Sequence, residues 1–336
     1  MNTSLNRRQF QLGLCASTLA LPMLARGQAK LRLAGGYPLD SFHTVNLLAF
    51  AGDVKEATSG RMDIDVRPNG ELLKAADMVP GAADGRVEGG EVFMATLAKE
   101  HPVMGIDSFP FIVSSYADAR LLWDASRGAV ADALARRGLA LLFAVPWPPL
   151  NLYANRPIAR PEDFRGLRMR HYSPATQRIA EFLGATPVTT SMQMAAIEKA
   201  IAAREFDLML TSSLAGVITK AWTSMTHYYQ VSSSIPKNVI FMRKDVLDKA
   251  SAGDRKAFME AAQRAELRGW QASGKINAEM EAQLVKNRIA VAGMEPVVRR
   301  FLDRAGERLT LEWMATAQPA ELQVLSGYMA QRVARR

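Results

Sequence analysis

The segment Pro161 to Val188, PEDFRGLRMRHYSPATQRIAEFLGATPV, restricts the possible fold more than any other stretch. A Pro-Glu-Asp entry leads to Gly166 as a turn, and Leu167-Arg168-Met169-Arg170 follows as a short strand. Ser173-Pro174 supplies an N-cap with proline at the first helical position. The helix predicted from Ala175 to Leu183 carries an apolar stripe of Ala175, Ile179, Phe182 and Leu183, and Gly184 closes it as a C-cap. A second strand begins near Thr186. The result is a strand–helix–strand unit with Arg170 where the first strand gives way to the helix. Ligands of open α/β sheets collect there, outside the carboxyl ends of strands and near helix N-termini. A guanidinium at that place grips a carboxylate with two parallel hydrogen bonds, which lysine cannot do. From the residues alone the alternative stays open that Arg170 is solvated or ion-paired, like most of the 42 lysines and arginines.

The rest of the chain repeats this alternation. Strands are predicted at Lys30 to Ala34, Arg61 to Val66, Glu91 to Met94 and Leu139 to Val145, with helices at Thr44 to Thr58, Lys74 to Ala83 and Tyr116 to Leu134. Pro146-Trp147-Pro148-Pro149 is a rigid break, read as the first crossing between two lobes, after which Leu150 to Asn155 continues as a strand. A helix at Gln193 to Ala203, a strand at Phe206 to Leu210 and a returning strand at Val239 to Met242 follow. From Asp245 the pattern is helical, with one long stretch from Asp254 to Ile289 interrupted only by Gly269 and Gly274. Strands alternating with helices imply an α/β architecture with largely parallel pairing. The expected division is residues 30–146 plus about 236–275 for lobe I, and 147–235 plus about 276–336 for lobe II.

Residues 1–29 read as an export signal. Arg7-Arg8 before Phe10 are of the twin-arginine type, Leu12 to Leu24 is apolar and uncharged, and Gly27-Gln28-Ala29 offers small residues for cleavage. The apolar run is too short to span a bilayer. Cys15, the only cysteine, lies within it, so a chain cleaved after Ala29 has neither disulfides nor a catalytic thiol. Loss of Arg7, Arg8 and Arg26 lowers the formal net charge from +9 to +6. The charges are interspersed and no basic stripe carries aromatics, which argues against a nucleic-acid partner.

Other candidate ligand contacts lie near strand ends. Tyr37 follows the first strand in a Gly35-Gly36 loop, and Trp147 sits in the crossing; both rings are candidates for stacking on a ligand. Thr211-Ser212-Ser213 offers hydroxyls and backbone N–H groups either to a ligand or to the next helix as a cap. Asp63 and Asp65 have the look of a metal pair, but strand alternation alone puts them on one polar face.

By its motifs the chain resembles the periplasmic solute-binding proteins of TRAP (tripartite ATP-independent periplasmic) transporters, the DctP-like family. The likeness spans nearly all of residues 30–320. It is sharpest in Thr58 to Arg61, Asp107 to Phe111, Asn155-Arg156-Pro157-Ile158, Asp163 to Arg170, Gly184 to Val188 and the spacing from Ala200-Ile201 to Asp207. The resemblance implies two α/β lobes joined by crossing strands and a long helix spanning both. It makes Arg170 the arginine that binds a substrate carboxylate. It implies membrane subunits as partners, uptake driven by an ion gradient, a periplasmic location and no cofactor; a homodimer through the long helix stays open. Departures from the family pattern matter equally. Leu150 stands where many members carry a second arginine, and Leu210-Thr211-Ser212 replaces an E-N-P segment. Leu208 and Ala196 likewise replace a Gly and a Glu. A less charged cleft of this kind points to a monocarboxylate, apolar or aromatic, rather than a dicarboxylate, with Leu150 and Thr211 among the contacts.

Enzyme readings have less support. Gly269 to Ile276 nearly spells a phosphate-binding loop, but it ends in Ile, follows no strand and lies within a helical pattern. His43, His101, His171 and His227 show no metal-ligand spacing, and no G-x-S-x-G, G-x-G-x-x-G or S-x-x-K motif is present. An exported enzyme using His171 as a base on a carboxylate substrate is the alternative of another class. A binding protein for an ATP-driven importer or a sensor is the second alternative.

Overall fold

The computed structural model describes residues 30–190, 193–315 and 317–334. The expected export signal, with its paired arginines and Cys15, lies outside the described residues. In chain order the elements are β1 (Leu31–Ala34), α1 (Phe42–Ala57), β2 (Ile64–Arg67), α2 (Met78–Ala83), β3 (Gly89–Phe93), α3 (Tyr116–Ala135) and β4 (Leu139–Pro146). Then come β5 (Leu150–Ala154), β6 (Arg168–His171), α4 (Pro174–Leu183), β7 (Thr186–Thr189), α5 (Met194–Ala202), β8 (Leu208–Ser212) and α6 (Ser213–Ile218). The chain continues through β9 (His227–Ser234), β10 (Lys237–Arg243), α7 (Lys244–Asp248), α8 (Ala252–Lys286), β11 (Ala290–Ala292), α9 (Pro296–Met314) and α10 (Pro319–Ala334).

Two sheets result. One has the order β2-β1-β3-β10-β4 and the other β11-β9-β5-β8-β6-β7. The expectation of largely parallel pairing needs correction. β10 is antiparallel to both β3 and β4, and β5 is antiparallel to both β8 and β9. The cause is topological. β5 and β10 are the strands that arrive from the other sheet, after β4 and β9 respectively, and each enters against the direction of strands fed by local helical crossovers. Helices cover both faces of the first sheet. Trp123, Leu134 and Val239 lie in one core beneath α3, and Phe50, Phe143 and Phe258 lie in another beneath α1 and α8. The second sheet buries Phe164, Met169 and Leu302 on one side and Tyr153, Met209 and Leu284 on the other.

The long helix α8 belongs to both halves. Toward its N-terminus Glu266, nearly buried, accepts from the backbone N–H of Ala144 at 3.1 Å and pairs with Arg127 at 2.6 Å. Gly269 permits this closeness, since a Cβ there would meet Val145 Cγ2 at 2.6 Å. Farther along, Glu281 accepts from the Tyr228 hydroxyl at 3.0 Å and from Gln230 at 2.8 Å, both on β9 of the second sheet. The near phosphate-loop motif at Gly269 to Ile276 therefore lies inside continuous helix. Asp63 and Asp65 are held in ion pairs with Lys55 and Arg67.

The tail departs from the division drawn from sequence, which assigned everything past about residue 276 to lobe II. α9 does pack on the second sheet through Val298, Leu302 and Leu309. α10, however, returns to the first unit, where Val324, Leu325 and Tyr328 join the α3 core and the Tyr328 hydroxyl donates to the Ile112 carbonyl at 2.7 Å. Its buried apolar residues find their partners there.

Candidate functional site

Arg170 occupies β6, paired in register with Val188 on one side and Met209 on the other. The local build is as the sequence suggests. Asp163 accepts from the backbone N–H groups of Ala159 and Arg160, closing the turn before the strand. Asp207 accepts from the backbone N–H of Arg168 at 2.9 Å and from its guanidinium, tying the start of β6 to β8. Ser173 caps α4 by accepting from Thr176 N, and Gly184 ends the helix at φ 74°.

Arg170 is only 3% exposed. Its Cζ lies 4.9 Å from the ring centroid of Tyr172. Burial lowers the guanidinium pKa from its ordinary value while the neighbouring Tyr172 opposes the shift. An arginine stays protonated in a protein regardless, so the fold keeps a cation largely out of water. The same burial raises the Tyr172 hydroxyl pKa, against the pull of Arg170.

Tyr172 in turn lines a cavity of about 420 Å³ between the two sheets. Phe93, Ala95, Phe109 and Pro110 reach it from the first unit. Leu150, Pro174, Ile179 and Leu210 reach it from the second, and Ser234 and Pro236 come from the crossing between β9 and β10. The walls are mostly apolar, with hydroxyls at the crossing and at the start of α4. Just behind Ser108 a buried ion pair pins the crossing: Lys237 Nζ lies 3.2 Å from Asp107 Oδ2, and the Lys237 backbone N–H donates to the same oxygen at 2.8 Å.

The five residues singled out from sequence are placed differently. Leu150 lines the cavity, and Arg170, not among the lining residues, lies against Tyr172, which is. Thr211 is buried on β8 opposite Asn151 and is not among the lining residues. Its neighbour Ser212 caps α6 by accepting from Ala215 N, so the capping role falls to that hydroxyl. Tyr37 and Trp147 are not among the lining residues either. Their rings meet edge to face at 5.1 Å, and both donate to Asn238 Oδ1, the Tyr37 hydroxyl at 3.3 Å and the Trp147 indole at 2.9 Å. His171, the base of the enzyme reading, contacts Thr189 Oγ1 at 2.9 Å and does not line the cavity.

Sequence reasoning missed Tyr172, Phe93 and Phe109 as walls, and it missed the network behind Tyr37 and Trp147. Asn238 Nδ2 donates to Glu91 Oε1 at 2.9 Å, and His43 Nδ1 lies 3.2 Å from the same oxygen. Tyr172 was recoverable, because it directly follows the strand bearing Arg170. The network was not, because its members come from four separate segments.

Comparison with known proteins gives consistent matches. DctP7 of Bordetella pertussis, an extracytoplasmic solute receptor binding pyroglutamic acid, superposes with a TM-score of 0.79 at 32% identity, covering 89% of this chain and 99% of that one. DctP6 of the same organism, also a receptor binding pyroglutamic acid, gives 0.80 at 30% identity over 90% and 99%. A marine metagenome TRAP solute-binding protein specific for pyroglutamate gives 0.78 at 28% over 90% and 98%. The family model for bacterial extracellular solute-binding proteins of family 7 matches residues 38–316.

Proposed function

Because this chain belongs to bacterial extracellular solute-binding protein family 7, the DctP family, we propose that it captures a small monocarboxylic acid between its two lobes. It then delivers that acid in the periplasm to TRAP membrane subunits for gradient-driven uptake. The observation that carries this reading is Arg170, a residue 3% exposed near the carboxyl end of β6, its guanidinium set against Tyr172 of the interlobe cavity wall. A cation kept in so little water gains most from a carboxylate that reaches it in a bidentate pair.

The cavity favours a compact acid with an apolar body. Leu150 supplies no second charge, and Phe93, Phe109, Ile179 and Leu210 surround the space with carbon. Pyroglutamate, bound by the three relatives above, is of this class: one carboxylate on a small ring. Ligand bound in the cleft would draw the lobes together about the β4–β5 and β9–β10 crossings and α8, excluding water and strengthening the pair with Arg170.

The test is a thermal-shift and calorimetry panel of small carboxylic acids, pyroglutamate first, with Arg170→Ala alongside. Ligand at a hundred times its Kd adds about 2.7 kcal/mol of stability, an easily visible shift. Pyroglutamate or a related monocarboxylate is expected to bind the unmodified protein and not the variant. Binding that survives in Arg170→Ala overturns the assignment.

A further inference from the structure

The cluster behind Tyr37 and Trp147 makes a chemical demand of its own. An indole N–H can only donate, so the bond from Trp147 Nε1 to Asn238 at 2.9 Å fixes the amide with Oδ1 toward the rings. Asn238 Nδ2 then faces Glu91, and it and His43 Nδ1 converge on the single oxygen Oε1. Glu91 Oε2 is buried and has no hydrogen-bond partner among the described residues, and the same holds for His43 Nε2. Glu91 is 2% exposed and His43 1%, so a carboxyl oxygen stands inside the protein with its accepting capacity unused.

Its position ties it to the cleft. Glu91 precedes Phe93 by two residues on β3, so both side chains leave the same face of the sheet, and Phe93 lines the cavity. Trp147 donates its backbone N–H to the carbonyl of Pro236, another lining residue, at 2.8 Å. The cluster therefore stands toward the carboxyl ends of β1, β3 and β4, beside residues that line the cavity.

We propose that Glu91, through Oε2, accepts a hydrogen bond from an N–H group of the acid held by Arg170, so that the ligand is a nitrogen-bearing monocarboxylate such as a lactam or amide acid. This rests on the carboxylate-binding reading of Arg170. The two ends of the cleft are then complementary, since the arginine only donates and the Glu91 oxygen accepts. A second carboxylate on the ligand would meet an acidic side chain rather than a second arginine, in keeping with Leu150.

Calorimetry with two probes tests this: pyroglutamate, and the lactone analogue in which a ring oxygen replaces the ring N–H. The unmodified protein is expected to prefer the lactam by roughly ten- to a hundredfold, the range of one hydrogen bond to a charged group. In Glu91→Gln the side-chain carbonyl must face Asn238 and His43, which places the NH2 where Oε2 stood. The preference is then lost or reversed toward the lactone. Glu91→Asp keeps the acid one methylene shorter and serves as a second variant, with the preference reduced. Equal affinity for the two probes in the unmodified protein, or a preference that persists in Glu91→Gln, overturns the inference while leaving Arg170-dependent binding intact. Failure of both probes to bind the unmodified protein overturns this inference, and the wider panel of acids with Arg170→Ala then decides the carboxylate reading separately.

Discussion

The guanidinium of Arg170 lies over the ring of Tyr172, Cζ to centroid 4.9 Å, and the same tyrosine lines the interlobe cavity. The tyrosine thus holds the cation in place beside the cavity wall. Arg170→Ala is expected to weaken acid binding by at least about a hundredfold, the range for breaking one partner of a buried charged contact. Arg170→Lys keeps the charge without the planar fork and recovers only part of it. Tyr172→Ala loses a contact of about 0.5–2 kcal/mol, whereas Tyr172→Phe keeps the ring face and binds nearly normally. Titration calorimetry on the four variants separates these effects.

Leu150 lines the cavity, and in the function proposed above it is the residue that limits how much charge the cavity holds. Leu150→Arg puts a second guanidinium beside the space that Leu210 and Ile179 line with carbon. Monocarboxylate affinity is expected to fall about tenfold or more as apolar contact is lost, and four-carbon dicarboxylates are expected to become measurable ligands. A competition assay with paired mono- and dicarboxylates reads the exchange directly. An unchanged ranking would show that Leu150 does not set charge preference.

Two glycines of α8 are predicted to behave oppositely. A Cβ at Gly269 meets Val145 Cγ2 at 2.6 Å and Asn46 Nδ2 at 2.9 Å, whereas Gly274 has nothing within 4 Å. Overpacking of about 1–3 kcal/mol outweighs the helix-propensity gain in Gly269→Ala. In Gly274→Ala only the gain of up to about 1 kcal/mol remains. Urea unfolding of both variants should move the midpoint in opposite directions.

Asp207 gives a pH-dependent test of how β6 is anchored. The hydrogen bond from the Arg168 side chain, helped by the Arg168 backbone N–H, holds its pKa below the usual carboxylate value against the opposing effect of burial. A depressed folded-state pKa contributes stability that is present above the unfolded value near ~4 and lost as pH falls through the folded one. Asp207→Asn is therefore expected to cost about 1 kcal/mol at pH 7, a modest figure because solvent screens the partly exposed pair. The gap from the unmodified protein should close as pH drops below about 4. A gap that stays constant with pH would assign the cost to packing instead.

Local chemistry was legible and long-range closure was not. The Ser173 cap, the Gly184 stop and the strand bearing Arg170 were readable because each is decided within a few residues. The long helix was visible as a pattern from Asp254 to Ile289 interrupted only by Gly269 and Gly274, and it runs Ala252–Lys286. β9, His227–Ser234, escaped because HYYQVSSS is strongly polar toward its end and shows no clean alternation. The directions of β5 and β10 follow from which sheet the chain has just left, and no local pattern carries that information. Tyr37 and Trp147 were picked for their rings, yet their hydrogen bonds run to Asn238, 201 and 91 residues away.

The helix α8 is about 52 Å of rod at 1.5 Å per residue. It is bolted to one lobe through Glu266 and to the other through Glu281. In the closing motion proposed above, neither lobe can swing without bending it. Part of the energy of ligand capture would then be held as curvature in a leaf spring, and the same recoil would drive the lobes apart when the cargo leaves. Affinity and release rate would thus be tunable from residues on α8 that never meet the ligand.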